Sequence, residues 1–301
     1  MLRGRSRGRF TVRLAYASDA VNQAVISGKG DGMDVSRHGW LRWALAAAAV
    51  LTVAGNVSGD SPQSGTTGPA DNDALVGQYR HSTVFTAGKT RRSVATIAPR
   101  GAGFSVAWEE DDGNLFGGIA IAVDGVLGAA YTEALNGTYR GKGVLAYRIS
   151  GGTLDGVRLP SDSATLIQET LEGPPALEGR YAIARSLDAD GHPYHSGFVE
   201  IVRQGDTYQM TWYTPARSYE GVGLRVGDVL VASYGNGFAP GIIAYCADEG
   251  LLTGVGTYGH VGTVGADLMV RANAGSTGTG AETSARCRDA IERWNPSLVR
   301  G

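Results

Sequence analysis

The feature of this chain that most restricts its possible folds is that its second half repeats its first. Segments of the first copy recur in the second at a nearly constant register: residues 76–79 as 178–181, 103–108 as 207–212, 126–131 as 229–234, and 143–147 as 241–245. Glycine, aromatic and β-branched residues recur at matching places in these segments. Two copies of one β-rich unit, each of roughly 95 residues, therefore make up the body of the protein.

The first 57 residues are typical of a targeting segment rather than of a folded domain. Arg37, His38 and Arg42 precede an apolar run, residues 43–55, that ends in small residues. This is the pattern of a secretory signal behind a basic leader, and the run is short for a membrane span. We expect an exported protein, at the periplasm, the cell surface or outside the cell. An uncleaved N-terminal anchor is the alternative, and it would be the protein's only attachment to a membrane.

Composition limits the remaining classes of function. The formal charge of the 301 residues is −2 and the isoelectric point is near 6.2, so no basic field is available to bind nucleic acid. The Ser, Gly, Thr and Pro content of residues 58–73 predicts a flexible linker. No phosphate loop, dinucleotide fingerprint or nucleophile elbow is present, and we expect no cofactor.

The spacing of alternating segments predicts eight strands in each copy. We expect an all-β fold of two tandem eight-stranded antiparallel up-and-down barrels of the avidin or lipocalin type, with residues 74–172 as the first barrel and 177–272 as the second. Pro174 and Pro175 mark the boundary between them. Residues 273–301 are expected to form a Gly/Ser linker and a short C-terminal helix. The connections alternate between long and short, which predicts one looped end and one tight end for each barrel.

Four aromatic residues are the candidate ligand-binding side chains. Trp108 and Trp212 recur at equivalent places in the two copies, as do Tyr131 and Tyr234. Aromatic rings of this kind could stack on a ligand inside a barrel, although recurrence in both copies favours packing of the core.

Histidine and acidic residues offer two further candidate sites. His192, His195 and His260 fall in or near loops that a closed barrel brings to one end, where three imidazoles could bind zinc or copper; a polar turn is the alternative. The acidic run at residues 109–112 is expected to be a solvated turn.

The two cysteines, Cys246 and Cys287, are predicted to form a disulfide, because an even pair in an exported protein favours a bridge. Two buried free thiols are the alternative.

A motif in the second copy resembles a known group of proteins. Tyr194, Gly197, Val199 and Ile201 are followed by the Tyr-x-Met-x-Trp of residues 208–212. This pattern resembles small secreted bacterial β-barrel proteins that are often labelled fibronectin-binding, here in tandem duplication. The resemblance implies the barrel and a binding role, and it assigns no active-site residue.

The leading hypothesis is therefore an exported, non-enzymatic protein that binds a protein partner or a small ligand through its loops or a barrel cavity. One alternative is an enzyme with its active site inside one barrel, which would require ionisable groups to converge there. Few such groups are expected on the apolar strand faces. The other alternative is a structural role in the cell envelope.

Overall fold

The computed structural model describes residues 73–85, 88–133, 139–236, 240–248, 250–257 and 264–272. The targeting segment, most of the linker and the predicted C-terminal helix lie outside these residues. Among the described residues, no helix has the length and apolarity needed to cross a membrane.

The described chain is almost entirely β-structure, after a short 3-10 helix at Asp73–Leu75. The first repeat contributes β1 (Gly77–Phe85), β2 (Thr90–Arg100), β3 (Gly103–Glu110), β4 (Leu115–Val123), β5 (Val126–Glu133), β6 (Gly143–Ser150), β7 (Thr153–Pro160) and β8 (Ile167–Glu172). The second contributes β9 (Gly179–Leu187), β10 (Phe198–Gln204), β11 (Thr207–Tyr213), β12 (Ser218–Val226), β13 (Val229–Gly235), β14 (Gly241–Asp248), β15 (Leu251–Thr257) and β16 (Val264–Arg271).

These strands form two closed eight-stranded antiparallel barrels, which confirms the predicted fold class. In barrel I, connections of two residues alternate with longer ones. Barrel II follows the same alternation except between β8 and β9, where residues 173–178 form a longer connection at the otherwise tight end. Each barrel therefore has a looped end and an end with mostly tight turns. Every pairing between neighbouring strands is antiparallel.

The prediction that each repeat forms its own barrel is wrong, because the repeats exchange their last three strands. Barrel I consists of β1–β5 and β14–β16, and barrel II consists of β6–β13. β5 pairs with β14 and β13 pairs with β6, in the same register: Tyr131 lies opposite Gly241, and Tyr234 lies opposite Gly143. The boundary at Pro174 and Pro175 does not join two barrels, since β8 and β9 on either side of it are paired neighbours within barrel II.

The exchange follows from the equivalence of the two copies. Because β6 and β14 present the same Gly-x-x-Ala-Tyr pattern, the open edge of β5 accepts either strand equally well. Eight consecutive strands, β6–β13, then form an uninterrupted meander between β5 and β14. The chain passes from one barrel to the other through residues 134–142 and 236–240, not through the prolines.

The buried apolar side chains form three clusters. Two fill the barrel interiors, around Trp108 and Tyr245 in barrel I and around Trp212 and Tyr147 in barrel II. The third joins outward-facing residues of both barrels, including Ile121 of β4 and Leu224 of β12. All seven residues of β13 are buried, since one face lines a barrel and the other packs against its neighbour.

Candidate functional site

Barrel I contains a cavity of about 460 Å³ towards its looped end. This volume lies within the range of small-molecule sites in proteins. Aromatic side chains form part of its wall, namely Phe85, Trp108, Phe116 and Tyr131. Polar and charged side chains form the rest, including His81, Thr83, Arg91, Ser93, Glu110 and Glu133.

Glycines on neighbouring strands set the aromatic wall in place. A Cβ atom at Gly118 would lie 2.8 Å from the Trp108 ring, and one at Gly241 would lie 2.4 Å from the Tyr131 ring. The rings of Trp108 and Tyr131 meet edge to face with centroids 6.0 Å apart, and Phe116 meets Tyr131 in the same way at 6.1 Å. The wall therefore has a defined shape, and one of its pairs, Tyr131 on Gly241, joins the two repeats.

A buried histidine cluster occupies the polar side of the cavity. His81 and Thr83 point inward from alternate positions of β1, with Ser93 opposite His81 on β2 and Asp267 opposite Thr83 on β16. His81 contacts Asp267 through Nε2, and its Nδ1 lies 2.6 Å from the Ser93 hydroxyl oxygen. Since a carboxylate accepts, Nε2 carries a proton, and in the neutral ring Nδ1 accepts from Ser93. The Thr83 hydroxyl donates to Asp267 at 3.0 Å.

Carboxylates outnumber fixed cations around the cavity. Glu110 is buried and forms an ion pair with Arg91 at 2.9 Å, while Asp267 lies behind His81 and Glu133 lies at the exposed end of β5. Burial, reinforced by the charge of Asp267, raises the pKa of Tyr131 well above its ordinary value, so the phenol stays neutral. The expectation that residues 109–112 form a solvated turn is thus wrong for Glu110, which points inward because it shares the strand face of Trp108.

Barrel II is occupied at the corresponding depth by its own charged side chains. Arg158 Nη1 lies 3.1 Å from Glu169 Oε2, and His195 Nε2 lies 2.6 Å from the same oxygen. The Tyr147 hydroxyl donates to Glu169 Oε1. Burial alone would raise the pKa of Glu169, but Arg158 and the hydrogen bond from His195 outweigh it and lower the pKa to about 2. Glu169 is therefore ionised at neutral pH although it is fully buried.

Several inward positions of the two barrels are equivalent, and one of them carries arginine in barrel II and glycine in barrel I. Glu169 and Asp267 lie opposite the equivalent glycines Gly156 and Gly254. The equivalent pairs are Trp108 with Trp212, Tyr131 with Tyr234, Tyr245 with Tyr147, Asp267 with Glu169, and Gly256 with Arg158. Arg158 places its guanidinium carbon 4.4 Å from the Tyr234 ring centroid and 5.8 Å from that of Trp212. At this position barrel II therefore has a side chain packed against two aromatic rings, whereas barrel I has none.

The predicted aromatic residues are divided between the barrels. Trp108 and Tyr131 line the barrel I cavity, whereas Trp212 and Tyr234 pack around Arg158 in barrel II. Their role as ligand-binding residues stays a prediction.

The predicted histidine triad falls only partly within the described residues. His195 contacts Glu169 and Arg158 inside barrel II, while the exposed His192 lies 3.6 Å from Asp188. His260 lies outside the described residues. Among those residues, Asp188, Asp190 and His192 come close enough to hold a metal ion, but Asp190 and His192 are solvent-exposed and His195 is not in the group.

Cys246 is disulfide-bonded, and it lies on the outer face of β14. Cys287, its predicted partner and the only other cysteine of the chain, lies outside the described residues.

Sequence reasoning missed the polar groups inside both barrels. The expectation of few ionisable groups on the inner strand faces is wrong, since His81, Glu110, Asp267, Arg158 and Glu169 are all buried. A usable signal was present: His81 and Thr83 share the period-2 face of the repeated Tyr79. Likewise, Arg158 and Gly256 follow the repeated Leu-x-Gly pattern at the same distance.

A second cavity of about 360 Å³ lies outside barrel I, against β2, β3 and β4. Small residues such as Ala98, Ala107 and Gly118 contribute much of its lining. It lacks the convergence of aromatic and charged groups found inside barrel I, which makes the interior cavity the stronger candidate.

Comparisons with protein-family models, with curated proteins and with solved structures give no match to this chain.

Proposed function

We propose that this protein is an exported, non-enzymatic binding protein that holds a small ligand in the cavity of barrel I. The observation that carries the proposal is the cavity itself, in which an aromatic wall faces a cluster of buried polar groups. This combination of apolar surface with a few fixed polar groups is characteristic of ligand sites. The signal-like segment and the disulfide at Cys246 support export, because disulfides persist in oxidising compartments.

The contrast between the barrels supports the same proposal. Both copies supply the same aromatic scaffold, but Arg158 fills barrel II, whereas Gly256 occupies the equivalent place in barrel I. The loop after β9 brings His195 over the charged pair, whereas the loop after β1 spans only residues 86–89. Barrel II is thus built as a packed interior and barrel I as an accessible one.

A ligand screen on the full chain tests the proposal, with thermal shift as the first readout and calorimetry as the second. A panel of small organic cations, anions and neutral aromatic compounds should contain binders with a stoichiometry of one per chain. Gly256→Arg, which reproduces the barrel II arrangement, should abolish that binding while far-ultraviolet circular dichroism stays unchanged.

If Gly256→Arg fails to fold, Phe116→Ala takes its place, since Phe116 is a half-buried part of the cavity wall. Binders whose affinity is unchanged in a folded Gly256→Arg or Phe116→Ala variant would place the site elsewhere. A panel without binders would overturn the proposal.

A second candidate function is acyl transfer by Ser93. Its hydroxyl oxygen lies 2.6 Å from His81, whose other ring nitrogen contacts Asp267, which is the order of groups in a nucleophile, base and carboxylate triad. Ser93, however, lies within β2 and pairs with both β1 and β3. The backbone N–H groups around it are engaged in these ladders and cannot serve as oxyanion donors, so we favour binding over catalysis.

Labelling distinguishes the two candidates. A fluorophosphonate probe followed by peptide mass spectrometry should leave Ser93 unmodified, and hydrolysis of p-nitrophenyl butyrate should be the same for the wild type and Ser93→Ala. Stoichiometric modification of Ser93, with turnover that Ser93→Ala abolishes, would establish the enzyme instead.

A further inference from the structure

We infer that the ligand of barrel I is an organic cation of the guanidinium or amidinium class, and that Arg158 in barrel II shows how such a group is held. This inference rests on the proposed function, because it names the chemistry of the ligand for the same cavity. Its basis is the duplication: the two aromatic residues that flank the Arg158 guanidinium in barrel II recur in barrel I, where they line a cavity.

Barrel II holds a buried guanidinium between a carboxylate and two aromatic rings. Arg158 is 2% exposed, its Nη1 lies 3.1 Å from Glu169, and its guanidinium carbon lies 4.4 Å from the Tyr234 ring centroid. Trp212 flanks the same group at 5.8 Å. A carboxylate together with aromatic faces is the usual environment for a desolvated cation, since each stabilises positive charge without water.

Barrel I retains the two aromatic residues of this site and has an acid at the position of Glu169, which His81 contacts in place of an arginine. Asp267 stands where Glu169 does, opposite the equivalent glycine of the neighbouring strand, and Trp108 and Tyr131 stand where Trp212 and Tyr234 do. Gly256 replaces Arg158, so no side chain from this position enters the barrel. A guanidinium supplied from outside would meet the two equivalent aromatic rings, and the carboxylates it would meet in the cavity lining are those of Glu110 and Glu133.

The charge of the cavity favours a cation over an anion. Glu110 and Glu133 line it and Asp267 lies directly behind His81, against a single arginine, Arg91, in the lining. Arg91 is 39% exposed on its side chain, whereas Glu110 is 7% exposed, so the carboxylate lies deeper than its partner. An anionic ligand would face these carboxylates at low dielectric and would be repelled.

Asp267 already accepts from His81 and Thr83, and both contacts go to Oδ1. Asp267 is thus engaged within the barrel, and it lies behind His81 rather than in the cavity lining. Glu110 supplies a carboxylate at the cavity, and it is the more suitable residue to vary because Asp267 holds the histidine cluster together.

Three small probes of similar size show whether the cavity recognises the charge of a ligand or only its shape. N-propylguanidinium reproduces the end of the Arg158 side chain, N-propylurea is its neutral planar isostere, and butyrate carries the opposite charge. Calorimetric titration of the full chain should give one site for N-propylguanidinium, at least about tenfold tighter than N-propylurea. Butyrate should not compete.

Two substitutions of equal charge form the matched control. Glu110→Gln should weaken N-propylguanidinium about tenfold while changing N-propylurea little, because it removes a buried charge at the cavity. Glu109→Gln removes the same charge from the adjacent, exposed position and should leave both affinities unchanged.

The possible results separate this inference from the proposed function. If N-propylurea or butyrate binds as tightly as N-propylguanidinium, the cation inference is wrong and the cavity remains a binding site. The cation inference is also wrong, and the cavity is still a binding site, if none of the three probes binds but the ligand screen finds a non-cationic compound whose binding is abolished by Gly256→Arg. If neither experiment finds a binder, both proposals fall.

Discussion

At the scale of single residues, the two barrels differ most in how a buried acid is satisfied. Glu169 is long enough to accept from Tyr147 and to meet Arg158 and His195. Asp267 is one methylene shorter and is held by His81 and Thr83 instead. The same fold thus supports a closed ion pair in one copy and a polar wall beside a cavity in the other.

The paired tyrosines allow a direct test of this difference. Tyr147→Phe removes a hydrogen bond to a buried carboxylate and should lower the free energy of unfolding by about 1.5–3 kcal/mol. Tyr245→Phe, at the equivalent place, should not lower it, because removing a buried hydroxyl that has no partner leaves no hydrogen bond broken. The Tyr245 hydroxyl has no hydrogen-bond partner among the described residues, although Trp108 Nε1 approaches it without reaching hydrogen-bond geometry.

Denaturant unfolding of both variants under identical conditions gives the comparison, with the cooperativity of the transition as the check on two-state behaviour. Equal losses in the two variants would show that Tyr245 also makes a strong hydrogen bond in solution.

Glu169 also predicts how the protein responds to acid. Its pKa in the folded state, about 2, lies below the ordinary value of 4.5, so its ionised form stabilises the fold at higher pH. That stabilisation is present above about pH 4.5 and is lost as the pH falls towards 2, an effect of about 3 kcal/mol for this one group.

The double variant Arg158→Met/Glu169→Gln removes both charges and avoids leaving either one buried alone. Its free energy of unfolding, followed by denaturant titration from pH 6 to pH 2, should fall less steeply than that of the wild type below pH 4.5. Parallel curves would show that this ion pair does not control acid stability.

At the scale of strands, periodicity predicted much of what the structure contains. Alternation with period 2 indicated strands such as β2, whose burial alternates along Val94–Ile97, and two-residue Gly-containing turns indicated the tight barrel ends. Alternation predicts which residues share a face but not which face points inward. Strand ends are also less certain than strands: the pattern ended β3 one residue early, at Glu109, and so left the inward-facing Glu110 in a turn.

Glycines at two strand pairings leave room for tyrosine rings on the neighbouring strand. Tyr131 packs on Gly241 and Tyr234 packs on Gly143, and a Cβ atom at either glycine would lie within 2.5 Å of the facing ring. Both contacts join a strand of one repeat to a strand of the other. The sequence shows these aromatic and glycine positions clearly. It does not show whether each tyrosine packs on the glycine of its own repeat or on that of the other repeat, because both glycines are equivalent.

At the scale of the whole molecule, the repeat predicted eight strands per barrel without determining where each barrel begins. Any eight consecutive strands of a duplicated meander satisfy the same pattern, so strand count cannot distinguish β1–β8 from β6–β13. In the exchanged fold, the apolar outer faces of strands such as β4, β12 and β13 are buried between the barrels. Gly128 on β5 allows a close approach, since a Cβ atom at this position would lie 2.9 Å from the Val231 side chain.

Engineered disulfides test the exchange directly, because one position has a different neighbour in each arrangement. Ala129 of β5 lies opposite Ile243 of β14 in the exchanged fold. Since Tyr131 matches Tyr234, whose partner is Gly143, a barrel formed from one repeat alone would place Ala129 opposite Leu145 of β6. Ala129→Cys/Ile243→Cys should therefore form a cross-link on oxidative refolding, and Ala129→Cys/Leu145→Cys should not, because residues 129 and 145 lie inside different barrels. Peptide mapping identifies each bridge beside the native one at Cys246, and a bridge between residues 129 and 145 would show that each repeat closes its own barrel.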